Sequence, residues 1–392
     1  MENNATVGYR LISTDSELKS FVGLLEKEET IAVDLEADSM YHYKEKVCLI
    51  QIATQEANVI IDPLQIRDLS PLEPFFMRRD IRKIFHGADY DIRSLYRDFS
   101  IEINNLFDTQ IACRFLGLRE TGLEAVLQKH FNIVLDKKYQ KKDWSKRPLS
   151  EDMMEYAARD AYYLVPLANF LEKELEEKGR LSWVWEECDD LSKVRAAAYD
   201  SEPLYLKFKG SGRLSPRNLA VLEMLLQFRK ELAEKKDRPL FKIFGNDSLL
   251  KIAKAKPRSL AHLERLNAIS RKQMGMYGSE LVEIVKKALE IPEENLSFYP
   301  RKKGPILSPE VPERVKSLKH WRDAKAQKLR MDPALICNKS LISTIAIKNP
   351  GTVKELEEIL EMKKWQQKAF GKEIIAVLKV RNENGRKDFF SV

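Results

Sequence analysis

Residues 30–62 read TIAVDLEADSMYHYKEKVCLIQIATQEANVIID, and three runs within them have the character of strands. Thr30–Glu36, Val47–Thr54 and Asn58–Asp62 are rich in β-branched residues and separated by short polar segments. A parallel crossover needs about a dozen residues or more, so runs this closely spaced predict an antiparallel meander. Strand alternation puts Asp34 and Glu36 on one face of the first run and Leu35 on the other. Two like charges at the end of an apolar strand repel each other unless a cation compensates them. By itself, Asp-x-Glu is a common pattern with little weight.

Two further acidic groups lie downstream. Lys83–His86 reads as a strand passing into a helix over Ala88–Phe99, with Asp89 and Asp91 in the first turn. Acidic residues also favour helix N-termini for purely electrostatic reasons, so this pair too has a structural reading. Thr109–Leu116 reads as another helix, with Asp108 as its cap. A longer helix is predicted from Ser150, the N-cap, with Glu151 and Asp152 complementing its dipole. On that helix Tyr156 and Asp160 are four residues apart and share a face, while Pro166 should interrupt it.

Beyond Leu204 strand signals give way to amphipathic helical patterns, and the charge changes sign. Residues 1–200 carry 27 Lys+Arg against 37 Asp+Glu; residues 201–392 carry 40 against 23. An acidic module joined to a basic one suggests a polyanionic partner for the second. That basic half repeats itself at an offset of 93 residues. Leu214-Ser215-Pro216 recurs as Leu307-Ser308-Pro309, and Arg229, Ala233, Ala253, Pro257, Gln273 and Gly278 match Arg322, Ala326, Ala346, Pro350, Gln366 and Gly371. One offset held through several helices marks two copies of one unit, each with room for about five helices. In both copies Ser-Pro is expected to cap and open the first helix, and residues 295–304 to link the copies. The four cysteines are scattered, with neither a zinc-type pair nor a disulfide framework. No apolar run spans a membrane and residues 1–10 do not read as a signal peptide, so a cytoplasmic location is expected; with no obligate protein partner evident, a monomer is expected too.

Taken together, Asp34, Glu36, Asp91 and Asp160, with Tyr156 beside the last, resemble the tyrosine-type branch of the DEDD 3′→5′ exonuclease superfamily. The flanks Leu49–Ala53 (LIQIA), Phe107-Asp108-Thr109 and Asp143–Leu149 (DWSKRPL) look like the ribonuclease D family, and the two repeats like its HRDC domains. The resemblance implies a ribonuclease H-like α/β exonuclease domain, a mixed sheet with helices, at residues 1–200. Two all-α helical-bundle HRDC domains would follow at 201–293 and 305–386. It also implies a metal-dependent 3′→5′ exoribonuclease that releases nucleoside 5′-monophosphates. Asp34, Glu36, Asp91 and Asp160 would hold two divalent ions, Mg or Mn, with Tyr156 orienting the attacking water. The family pattern selects Asp91, with Asp89 as the alternative. The expected partner is RNA with an accessible 3′ end, transfer RNA precursors among them.

Residues 137–147 (KKYQKKDWSKR) hold six basic residues and one acidic one. Lys141, Lys142, Lys146 and Arg147 are candidate phosphate contacts, and Trp144 either stacks on a base or packs inward. Both repeats are expected to bind RNA, truncation after about residue 205 to leave the chemistry intact on a short oligonucleotide, and loss of residues beyond about 305 to remove the second repeat without disturbing a channel shaped by the first. The competing readings are a 3′→5′ DNA exonuclease with the same carboxylates and a non-catalytic RNA-binding protein; the intact set of four carboxylates and a tyrosine argues against the second.

Overall fold

The computed structural model describes residues 7–195, 202–300 and 308–389, with side chains through 379 in the last segment. Two compact units make up the chain. Residues 1–36, 47–196 and 305–392 form one, and residues 37–46 and 197–304 form the other.

In the first unit, β1 (Arg10–Ile12), α1 (Asp15–Leu25), β2 (Thr30–Ala37), β3 (Val47–Ala53) and β4 (Asn58–Ile61) are followed by α2 (Leu72–Met77), β5 (Arg82–Phe85), α3 (Asp89–Phe99) and β6 (Leu106–Asp108). Then come α4 (Thr109–Leu116), α5 (Leu123–Phe131), α6 (Glu151–Tyr162), α7 (Leu164–Glu177) and α8 (Leu181–Ser192). The described strands form one mixed sheet in the order β1-β4-β3-β2-β5-β6. β3 and β4 pair antiparallel, with Gln51 opposite Ile60, as the meander predicts. β1 pairs parallel with β4, and β2, β5 and β6 run parallel. Every residue of β3 is buried, which explains why apolar residues occupy both of its faces, with Gln51 the one polar residue among them. The edge strands β1 and β6 escaped the sequence reading because three residues are too few to show alternation. Pro166 acts as expected: α6 ends at Tyr162 and Pro166 falls in the first turn of α7.

The second repeat completes this unit, as α14 (Val311–Leu329), α15 (Pro333–Ile336), α16 (Lys339–Lys348), α17 (Val353–Glu357) and α18 (Lys364–Phe389). Its apolar residues join the core beneath the sheet, so it is built against the α/β layer. In the other unit the first repeat likewise has five described α-helices: α9 (Pro216–Lys235), α10 (Leu240–Ile243), α11 (Asn246–Ala255), α12 (Leu260–Leu266) and α13 (Arg271–Glu290). Residues 37–46, the connection from β2 to β3, belong to this unit. Tyr43 packs on its core, its N–H donates to Asp237 at 3.0 Å, and the His42 Nδ1 lies 2.7 Å from the same carboxylate.

The two copies open differently. Ser215 caps α9 and Leu219 N–H donates to the Ser215 carbonyl at 2.9 Å. The second copy has Pro312 where the first has Leu219, with no N–H to make that bond. Its helix therefore starts at Val311, putting Pro312 in the first turn, and Ser308 instead accepts from Glu310 N–H in a turn. Leu307 and residues 301–304 of the expected linker lie outside the described residues. The linker's described part is not free chain, since the Tyr299 hydroxyl donates to the Leu206 carbonyl and its ring tilts against Tyr205.

Candidate active site

β2 delivers Asp34 and Glu36 to the face of the sheet opposite the buried Leu35. α6 crosses β3 and β4 on that face and brings Asp160 down to them. One carboxylate oxygen from each of Asp34, Glu36 and Asp160 lies within 4.8 Å of the others. Several bonds hold α6 at this height. Ser150 accepts from Met153 N–H at its N-terminus, and the Asn58 amide donates to the Ala158 carbonyl at 3.1 Å. Just before the helix, Arg147 forks onto Asp62 at 2.6 and 2.7 Å and donates to the Cys48 carbonyl at 2.9 Å.

Asp91 enters from the first turn of α3. That turn is set by Asp108, which accepts Gly87 N–H at 3.1 Å and Ala88 N–H at 2.7 Å while capping α4 through Gln110 and Ile111 at 2.7 and 3.0 Å. Gly87 sits at φ +78°, a left-handed conformation that favours glycine there. Asp91 is buried and raises the pKa of Glu36, whereas Asp89 is exposed and paired with Arg93 at 2.9 and 3.0 Å. The structure thus sets Asp91, not Asp89, beside the acidic group.

All four carboxyls are harder to ionise than usual. Burial pushes Asp34 up to about 6. Glu36 is pushed well up by burial and then by Asp34, Asp160 and Asp91. Burial and the charge of Asp34 raise Asp91 and Asp160, the latter partly offset by a hydrogen bond from Tyr156. Burial, with Asp160, Glu36 and Asp34, raises the Tyr156 phenol as well, so it stays protonated. Crowded, uncompensated oxygen ligands of this kind match hard divalent cations. Beside Tyr156 and Asp160 a cleft of about 260 Å³ opens, lined also by Lys138, Tyr139 and Arg159.

Two candidate RNA contacts are corrected. Trp144 is 1% exposed and packs at 6.1 Å from the Tyr156 ring, so it supports the site from below and presents no face to a base. Arg147 is spent on Asp62 and backbone carbonyls. Lys141, Lys142 and Lys146 remain exposed. His86 is a hydrogen-bonding residue, its Nδ1 2.9 Å from the Thr109 hydroxyl. Sequence reasoning missed that Asp108 holds the turn before α3 as well as capping α4; the Phe107-Asp108-Thr109 flank was its only trace.

A 3′-5′ exonuclease family model matches residues 9–176, and the HRDC domain model matches twice, at 218–285 and 312–378. Ribonuclease D of Haemophilus influenzae is 31% identical over 299 residues, covering 75% of this chain and 73% of that protein. The crystal structure of Escherichia coli RNase D, an exoribonuclease involved in structured RNA processing, superposes with a TM-score of 0.71 at 25% identity, covering 95% of this chain and 99% of that one. The catalytic core of RRP6 from Trypanosoma brucei superposes at 0.63 with 30% identity, over 74% of this chain and 81% of its own. With two HRDC copies behind an exonuclease domain and this degree of identity along most of its length, the chain belongs to the ribonuclease D family.

Proposed function

We propose that this chain removes nucleotides from the 3′ end of RNA at the Asp34–Glu36–Asp91–Asp160 cluster, with nucleoside 5′-monophosphates as product. A metal-dependent 3′→5′ exoribonuclease activity goes with the family. The observation that carries the site assignment is the meeting of three carboxylates from β2 and α6 within 4.8 Å. Two Mg²⁺ or Mn²⁺ ions held by these oxygens would lower the pKa of a water and offset the charge growing on the departing 3′ oxygen. The residues supply the rest. Asp34 and Glu36 ride on a central strand with buried neighbours on both sides, which keeps their spacing rigid. The protonated Tyr156 hydroxyl bonds to Asp160 and orients the attacking water; it is a poor base.

The substrates we assign are transfer RNA precursors and other small structured RNAs with 3′ extensions, a reading supported by the family and by the basic repeats. Purified protein should shorten a 5′-labelled RNA oligonucleotide stepwise from its 3′ end, with Mg²⁺ or Mn²⁺ and not with chelator. A matched DNA oligonucleotide degraded faster than the RNA would sink the assignment.

A further inference from the structure

Outside the acidic cluster, the C-terminal ends of two helices meet. A Cβ on Gly117, which ends α4, would lie 1.9 Å from the Arg330 carbonyl at the end of α14, so only glycine permits the approach. Arg180, 7% exposed, bridges the two ends by donating to the Phe115 carbonyl at 2.7 Å and the Leu329 carbonyl at 2.8 Å. Along this seam between exonuclease layer and second repeat lie two adjoining depressions of about 570 and 860 Å³, with Leu118 and Arg330 in the wall of both.

Their charge is one-sided. Arg114, Arg119, Lys129, Lys328 and Arg330 line them, and all five are exposed. The acids there are already engaged: Glu174 with Lys178, Asp323 with Arg322, and Asp332 as the cap of α15. Phe170, part-exposed and 4.8 Å from the His130 ring, adds an aromatic surface beside the cations. This concentration of positive charge stands out because residues 1–200 carry a net excess of acid.

We propose that the seam is a second RNA contact, holding the backbone of single-stranded substrate upstream of the 3′ end. Interleaved cations and ring faces suit a phosphodiester chain and need no particular base. The distance is right: His130 in the seam and Leu135 in the wall of the Tyr156 cleft are five residues apart, at most about 18 Å of chain. The two walls are thus separated by a span that a strand of several nucleotides covers, and a dinucleotide serves as the substrate expected to occupy the Tyr156 cleft alone. This deepens the exoribonuclease reading and rests on it for the position of the 3′ end.

The test uses the full chain, the triple variant Arg114→Glu/Lys328→Glu/Arg330→Glu and a milder Lys328→Gln/Arg330→Gln. Binding of a single-stranded RNA of about 20 nucleotides, longer than the ~4–16 that one module occupies, is followed by fluorescence anisotropy over a salt series in chelator. Hydrolysis of that RNA is compared with hydrolysis of a dinucleotide. The triple variant should weaken long-RNA binding at least about tenfold and flatten the salt slope by about 0.7 per lost contact. The ratio of long-RNA to dinucleotide kcat/KM should fall in parallel, with the double variant between. Wild-type affinity and slope in the double variant would overturn the proposal, as it would if the seam serves an acidic protein instead. Because binding is read without metal, a chain that bound RNA through the seam but cleaved none would sink the activity reading and leave this one standing.

Discussion

Trp183 of α8 and Trp365 of α18 stack with ring centroids 4.7 Å apart and planes 22° from parallel. Phe115 and Phe370 close around the pair edge-on. Glu186 accepts the backbone N–H of Lys364 and Trp365, while Glu187 accepts the Trp365 indole N–H and the Lys363 ammonium. The second repeat is therefore anchored to the exonuclease layer by a shared aromatic core, and it cannot be deleted without exposing that core.

Trp365 is 4% exposed, so Trp365→Ala should cost about 3–5 kcal/mol of the unit's stability. Removal of residues beyond about 305 should lower the melting temperature and promote aggregation through the bared Trp183 and Phe115. Thermal unfolding of the truncated and full chains checks this. An unchanged melting temperature after truncation would mean that the seam contributes little.

The acidic cluster sets a pH dependence for the metal-free protein. Folding raises the Asp34 pKa from the ordinary carboxylate range to about 6. A raised carboxyl contributes stability that is complete below its unfolded pKa and lost as pH climbs through the folded one. In chelator the protein should therefore lose stability as pH climbs from about 4 to about 7. Asp34→Asn should blunt the loss, and Mg²⁺ should restore wild-type stability at neutral pH. Melting curves across that range, with and without metal, give the sign directly. Asp34→Asn, Glu36→Gln, Asp91→Asn and Asp160→Asn should each abolish hydrolysis.

Tyr156→Phe deletes one hydroxyl and keeps the ring on Trp144. With its role confined to orienting water in the transition state, kcat should fall roughly 10- to 1,000-fold, about 1.4–4 kcal/mol, at nearly constant KM. Because the phenol is pushed up, no loss of wild-type activity from its ionisation should appear below pH 10. Steady-state kinetics across pH would show wild-type kcat in the variant if Tyr156 only packs.

Asp108 and Asp89 make a contrasting pair. Asp108→Asn leaves one acceptor oxygen and an NH₂ facing four backbone N–H groups. It should destabilise the fold by roughly 1–3 kcal/mol and, by loosening the turn before Asp91, weaken Mg²⁺ binding measured calorimetrically. Asp89→Asn loses only an exposed i,i+4 pair with Arg93, about 0.3–0.5 kcal/mol, and should leave metal binding intact.

Much of this protein is decided locally. The β-branched runs at 30–36, 47–54 and 58–62, Ser150 before its helix and Pro166 after it each act through neighbours in the chain, and each is legible residue by residue. The 93-residue repeat is a property of the sequence alone. Tertiary structure decided what depends on partners far along the chain: Asp91 over Asp89 beside the acidic group, Trp144 turned inward, Arg147 consumed by Asp62 at a separation of 85 residues. It also decided that two copies with one helical pattern have different fates. The copies differ in the residues that meet other elements, and burial of Trp365 against Trp183 is a property of the pair. A hydrophobic pattern says that a face will be buried, and only packing chooses against what.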